Sequence, residues 1–138
     1  MNFDEFRIKY ADIMMFFQRI ENDIKLIYAF MREGDVNEHY DEIENKTLGQ
    51  MIRELQKLDN SDDNPYINSE DYNFLERICE DRNHWAHSTF RNFIYEKNCF
   101  KSKEYKKECA KLVKEYNEVK SASDILEKIR IEFCTTAR

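Results

Sequence analysis

The stretch "FRIKYADIMMFFQRIENDIKLIYAFM", residues 6–31, decides the fold, because its apolar residues return every three or four positions. That period places them along one side of an α-helix, where they face a core. Gly34 follows, and a glycine just beyond a periodic segment is a common helix end. We therefore expect a first helix from about Phe3 to Glu33. Its stripe consists of Phe6, Tyr10, Ile13, Phe17, Ile20, Ile24, Ile27 and Met31.

A second long stripe occupies the other end of the chain. The stretch "SASD", residues 121–124, does not shift its rhythm, so we predict one long last helix rather than two. The apolar positions are Tyr105, Cys109, Leu112, Tyr116, Val119, Ala122, Leu126, Ile129 and Phe133.

The middle of the chain predicts two shorter helices. Residues 35–46 are polar with weak periodicity and offer at most a helical lead-in. Thr47 and Gln50 match a capping box, which predicts a helix over about 47–58. The loop "DNSDDNP" follows and holds the only proline.

A third helix would be capped by Asn68 or Ser69. Its predicted apolar face is Phe74, Leu75, Ile78, Cys79, Trp85, Ala86 and Phe93, and "KNCFKS", residues 97–102, is interpreted as a connection.

The composition agrees with a helical fold. The chain has 138 residues, of which 41% are hydrophobic and 36% charged, with two glycines and one proline. So few helix breakers argue against a turn-rich β fold. We predict a single all-α domain over residues 1–138, an up-down antiparallel bundle of four to five helices.

Charge is distributed unevenly along the chain. The formal net charge is −6, which does not favour a nucleic-acid partner. Residues 1–70, however, carry 8 basic and 16 acidic side chains, whereas residues 71–138 carry 14 basic and 12 acidic ones. A local basic patch can therefore still attract a polyanion. The acidic half either meets a basic partner or solvates the bundle.

The cysteines and the N-terminus indicate a cytoplasmic protein. Cys79, Cys99, Cys109 and Cys134 form no CxxC pair, and no histidine stands at a zinc-ligand spacing from them. We interpret them as buried free thiols in a reducing compartment, and predict no metal. "MNFDEFRIKY" is not a signal peptide, and "IMMFF" is too short to span a bilayer, so no membrane partner is expected.

The stretch "DRNHWAHSTF", residues 81–90, concentrates groups suited to phosphate chemistry. Asn83 and His87 are four residues apart and share a helix face, and His84 lies close to His87. A histidine transfers protons near neutral pH, and an arginine such as Arg82 holds a phosphate. We expect Trp85 to anchor the segment in the core. The bland alternative is a helix with a solvated polar face.

In these residues the chain resembles the HEPN superfamily (higher eukaryotes and prokaryotes nucleotide-binding domain). That family consists of compact bundles of four to five helices, and its ribonucleases carry R-x4-6-H, usually with Asn, Asp or His after the arginine. Arg82-Asn83-His84-Trp85-Ala86-His87 matches this pattern. The resemblance in architecture covers the whole chain, but only this hexapeptide is specific.

The resemblance implies an activity and partners. Arg82 and His87 would be the catalytic pair and Asn83 their supporting polar residue. Family members usually dimerise so that two motifs meet in one cleft, and cut RNA without metal or cofactor by attack of the ribose 2′-OH on the adjacent phosphate. Many are toxins of toxin–antitoxin or antiphage systems, some beside a nucleotidyltransferase antitoxin.

One position departs from part of that family. Some such toxins have a tyrosine two residues after the histidine, which the antitoxin modifies. Here Thr89 occupies that position, so pairing with a nucleotidyltransferase is in doubt, and Tyr95 is only a distant candidate acceptor.

Two other kinds of protein remain open: a non-catalytic HEPN-like module that binds RNA or a partner protein and dimerises, or a structural helical scaffold. His84 is expected to be auxiliary, and His39 is assigned no role. A lysine stripe either is the wet face of a helix or follows an RNA backbone. Its members are Lys103, Lys106, Lys107, Lys111 and Lys114.

Overall fold

A computed structural model describes residues 1–136, and these residues form five α-helices. Those residues contain no strand, which confirms the all-α prediction. Between the fourth and fifth helices lie two 3-10 turns, at Phe90–Asn92 and Cys99–Lys101. The helices are α1 (Phe3–Met31), α2 (Val36–Ile43), α3 (Leu48–Asn60), α4 (Ser69–His87) and α5 (Lys103–Thr136).

The two longest helices, α1 and α5, run parallel to each other. The ring of Phe16 lies 5.6 Å from that of Tyr116, and further along both helices the Arg19 guanidinium bonds Glu127 over 3.1 Å. Helix α4 runs antiparallel to both, because its C-terminal end lies beside the N-terminal ends of α1 and α5. Successive helices alternate in direction, as the predicted up-down bundle requires.

One contiguous hydrophobic core joins all five helices. Both predicted stripes enter it, and α4 contributes its largest side chain, Trp85. The fully buried members of the two stripes include Phe6, Ile13, Ile20, Ile24 and Ile27 from α1, and Leu112, Val119, Ala122 and Leu126 from α5.

Side chains at the helix starts set where the middle helices begin. Thr47 and Gln50 form the predicted capping box of α3, and Asn68 caps α4 through the backbone N–H of Asp71. The helix α2, inside the segment predicted as polar and weakly periodic, is capped by Asp35. That segment is thus a true helix, although it buries only His39 and Ile43.

The end of α4 differs from the prediction. The helix ends at His87, so Phe93 does not lie on its apolar face. The chain instead turns through the 3-10 segments, with Asn98 in the left-handed region at φ 54°. Phe93 re-enters the core against Phe6, with ring centroids 6.2 Å apart. Phe93 matched the three- and four-residue spacing of the α4 stripe only by coincidence, because the helix has already ended.

The structure also bears on the predictions for the cysteines and for membrane-spanning segments. The four cysteines are free, but all are half-buried rather than fully buried. No helix within residues 1–136 is long and apolar enough to cross a membrane.

The carboxylate of Asp59 fixes the connection between α3 and α4. It is buried and accepts hydrogen bonds from the backbone N–H groups of Tyr66 and Ile67 and from the hydroxyl of Tyr72, at 2.8, 3.0 and 2.7 Å. Burial, followed by this bond, raises the pKa of Tyr72 far above its ordinary value.

We expect Asp59→Ala to lower the free energy of unfolding by about 3 kcal/mol, because three donors lose their acceptor in a buried place. Asp63→Ala, in the exposed part of the same connection, should change it by less than about 0.5 kcal/mol. Urea denaturation followed by circular dichroism measures both. Equal stabilities of the two variants would contradict the assigned role of Asp59.

Candidate functional site

The predicted motif occupies the last turns of α4, which the rest of the bundle holds firmly. Trp85 is 1% exposed, as predicted for an anchor, and its ring meets Tyr10 of α1 edge-on at 6.4 Å. The hydroxyl of Tyr10 and that of Thr89 both donate to the Trp85 carbonyl, at 2.9 and 3.0 Å. A helix end whose carbonyls are satisfied in this way has a fixed position.

The three predicted site residues differ in solvent exposure and in their hydrogen bonds. Asn83 and His87 are exposed on the same face of α4, whereas Arg82 is half-buried. The guanidinium of Arg82 donates to Oδ1 of Asn83 over 3.4 Å. Within the described part of the chain, no hydrogen bond joins His87 to either of them. The structure therefore brings Arg82 and Asn83 together, and leaves the imidazole of His87 open to solvent.

His84 makes a contact that the sequence did not indicate. Its Nε2 lies 2.9 Å from Oε2 of Glu108 on α5, and Oε1 of the same carboxylate accepts from Nδ2 of Asn92 at 3.0 Å. Glu108 is only 6% exposed. The available signal was an acid at a core position, since Glu108 lies between the buried Tyr105 and Leu112 at helical spacing.

A polar groove runs between α4 and α5 next to this contact. It encloses a cavity of about 300 Å³, lined by Arg77, Glu80, Asp81, Lys111, Lys114, Glu115 and Glu118. Charged groups of both signs meet in it, so its field does not favour one sign alone.

Two carboxyl groups face each other inside this groove. Burial raises the pKa of Asp81 to about 7, and a hydrogen bond and repulsion from Glu115 add to the effect, while Lys111 and His84 oppose it. Glu115 is buried, and the Lys111 ammonium 3.1 Å from its Oε2 is not aligned for a hydrogen bond. A proton on Asp81 therefore supplies the donor that Glu115 otherwise lacks.

The five lysines of the predicted stripe lie along one outer face of α5. Lys103, Lys106, Lys107 and Lys114 are exposed, and Lys111 is half-buried beside Glu115. Through Lys111 and Lys114 this face continues into the groove. Residues 1–136 hold no group of three or more His, Cys, Asp or Glu side chains arranged to bind a metal.

The two candidate acceptors of a modification differ in accessibility. Thr89 is buried and its hydroxyl is engaged with the Trp85 carbonyl, whereas Tyr95 is 88% exposed in the connection before α5.

Comparison with known proteins gives no match. No family model matches the chain, and no curated protein or solved structure is significantly similar to it.

The Asp81 carboxyl predicts a pH dependence of stability. Its ordinary pKa is 3.8, and in the folded protein it is about 7, so between these values the folded chain keeps a proton that the unfolded chain loses. The contribution is complete below pH 4 and disappears as the pH rises through 7. Because the side chain is partly exposed, we expect a loss of about 1 to 2 kcal/mol.

Asp81→Asn removes this titration, so its stability relative to the unchanged protein should increase between pH 4 and pH 8. Urea unfolding at each pH measures the difference, with Asp63→Asn as an exposed control that shows no such trend. A difference that stays constant with pH would contradict the raised pKa.

Proposed function

We propose that this chain is a metal-independent endoribonuclease of the HEPN type, which cuts RNA by attack of a ribose 2′-OH on the adjacent phosphate. One observation carries the proposal. The end of α4 is held rigidly, and it presents His87 and Asn83 on one open face beside an Arg82 that Asn83 bonds. The resemblance of residues 82–87 to the R-x4-6-H pattern supports the same activity.

The residue types define the roles. His87 is free to take the proton from the 2′-OH, because no protein group occupies its ring within the described residues. Arg82 would hold the scissile phosphate and stabilise the charge that develops on it. Asn83, which accepts a hydrogen bond from Arg82, would position the guanidinium.

RNA would reach this site along the lysine stripe of α5. The exposed ammonium groups of Lys103, Lys106 and Lys107 lie in the first turns of α5, whose Glu108 contacts the motif helix. Such cations bind phosphates without regard to sequence, and their contribution falls as the salt concentration rises. Because the rest of the protein is acidic and repels phosphates, the affinity for RNA would depend on these lysines.

A second copy of the chain completes the site in this proposal. His87 stands five positions after Arg82, and this spacing turns the two side chains about 140° apart on one helix. An arginine from a partner chain would overcome that separation if two α4 ends met in one cleft. We therefore expect a homodimer.

Biologically, the proposed enzyme is a cytoplasmic toxin or antiphage component, whose activity an antitoxin protein controls. The burial of Thr89 argues against modification at that position, so the antitoxin would act at another residue or by binding.

The second candidate is a catalytically inactive HEPN-like module that binds RNA or a partner protein. The absence of a bond between Arg82 and His87 in the described part of the chain favours it. It predicts binding without cleavage.

The first test is cleavage of RNA by the pure protein in excess chelator. We expect Arg82→Ala and His87→Ala each to reduce the rate at least about a hundred-fold, as for loss of a charge stabiliser or a general base. Arg32→Ala is the matched control, because it removes a half-buried arginine at the C-terminal end of α1, far from the motif, and it should leave the rate unchanged. Persistent cleavage by both site variants would exclude this assignment, and RNA binding without cleavage would favour the module.

Mixing the two inactive variants tests the composite cleft. If Arg82 of one chain works with His87 of another, a mixed dimer of Arg82→Ala and His87→Ala chains contains one intact pair, and activity returns in part. Co-expression and a cleavage assay measure this, with light scattering to establish the dimer. An inactive mixture of dimers that have exchanged subunits would place both residues of a site in the same chain.

A further inference from the structure

His84 occupies a variable position within the R-x4-6-H motif, and its contact with Glu108 joins the motif to a residue of α5 outside it. The imidazole is 22% exposed, so one edge of the ring reaches solvent while Nε2 faces the carboxylate. Both oxygens of Glu108 are occupied, one by His84 and the other by Asn92. Because two hydrogen bonds fix the orientation of the buried Glu108 carboxylate, that carboxylate also fixes the orientation of the His84 imidazole.

The ring is restrained from a second direction as well. The His84 imidazole packs edge-on against the indole of Trp85, with centroids 4.9 Å apart, and Trp85 is itself anchored in the core. A carboxylate that accepts from one ring nitrogen keeps the proton of the neutral ring there. In His84 that nitrogen is Nε2, and Nδ1 is the one available for proton transfer.

We infer that His84 is a second proton-transfer group of this site, and that Glu108, supported by Asn92, is the residue that positions it. The inference rests on the proposed ribonuclease function and extends it to the leaving group. Residues three apart on a helix are neighbours, so His84 and His87 both border the same end of α4.

The step divides between the two histidines. The neutral ring of His87 takes the proton of the 2′-OH as the 2′ oxygen forms its bond to phosphorus. The bond between phosphorus and the 5′ oxygen breaks, and its electron pair stays on that oxygen. His84, protonated on both nitrogens, gives the Nδ1 proton to the 5′ oxygen while its Nε2–H remains bonded to Glu108. The products are a 2′,3′-cyclic phosphate and a 5′-hydroxyl end, and proton exchange with water restores both rings.

A purely structural role is the competing explanation, because the same contact also joins α4 to α5. It predicts that changes at His84 or Glu108 affect stability alone. A structural role is distinguished by two measurements that do not depend on stability: the position of the proton on the His84 ring, and the dependence of the cleavage rate on the leaving group.

The first experiment reads the tautomer of His84 by long-range proton–nitrogen NMR of the neutral ring, with His87 as an internal reference. We expect Nε2–H in the unchanged protein. In Glu108→Gln, Asn92 holds the amide oxygen, so the amide NH₂ faces His84 and moves the population toward Nδ1–H. An unchanged population in Glu108→Gln overturns the positioning role.

The second experiment changes the leaving group. His84→Gln keeps a donor toward Glu108 but transfers no proton, so we expect cleavage of ordinary RNA to fall about a hundred-fold. An RNA with sulfur at the 5′ bridging position releases a thiolate, which needs no proton, and should be cut by this variant almost as fast as by the unchanged protein. His87→Ala should stay slow on both substrates.

Controls and outcomes separate this inference from the proposed function. Asp23→Asn alters an equally buried carboxylate, ion-paired with Arg130 in the contact between α1 and α5, and should change neither the tautomer nor the substrate preference. Equal losses of His84→Gln on both substrates, with Arg82→Ala inactive, would overturn the inference and leave the ribonuclease intact. No cleavage by the unchanged protein would overturn the ribonuclease and the proton-transfer role together.

Discussion

The parallel contact between α1 and α5 is the constraint on which the rest of the structure depends. Two parallel helices cannot follow each other directly, because the chain must first travel back along the bundle. Here α2, α3 and α4 make that passage. Helix α4 therefore runs antiparallel to both long helices, with its C-terminal end at the place where α1 and α5 begin. An aromatic cluster joins the starts of α1 and α5 to the turn that follows α4. Its central rings are Phe6, Phe90, Phe93 and Tyr105.

That arrangement explains why polar groups occupy the contact of α4 with α5. A buried carboxylate is costly unless it finds donors, and Glu108 and Glu115 are both buried on α5. Glu108 is bonded to His84 of α4 and to Asn92, whereas Glu115 faces Asp81 of α4 and forms an ion pair with Lys111, one turn earlier on α5 itself. Apolar residues would stabilise such a contact with less desolvation, so the polar pairs are the part of the interface that stability alone does not require.

Much of the fold followed from local patterns, whereas the site followed only in part. The stripes of α1 and α5 and the capping residues Thr47 and Asn68 predicted their helices, because these signals are contained within a few turns. Helix α2 was not identified, since a short helix that buries two side chains has almost no periodicity. The partnership of His84 with Glu108 joins two helices, and no spacing along the chain encodes the contact.

The two hydroxyl groups on the Trp85 carbonyl have a consequence for the dynamics of the bundle. The last turn of a helix ordinarily frays, and its amides exchange hydrogen with solvent faster than those of the middle. Here a hydroxyl from α1 and one from the following turn hold that end, so opening it requires separating α1 from α4. We therefore expect the amides around Trp85 to exchange as slowly as those of the core, although they lie at the end of their helix. The site proposed there would keep its geometry without a bound ligand.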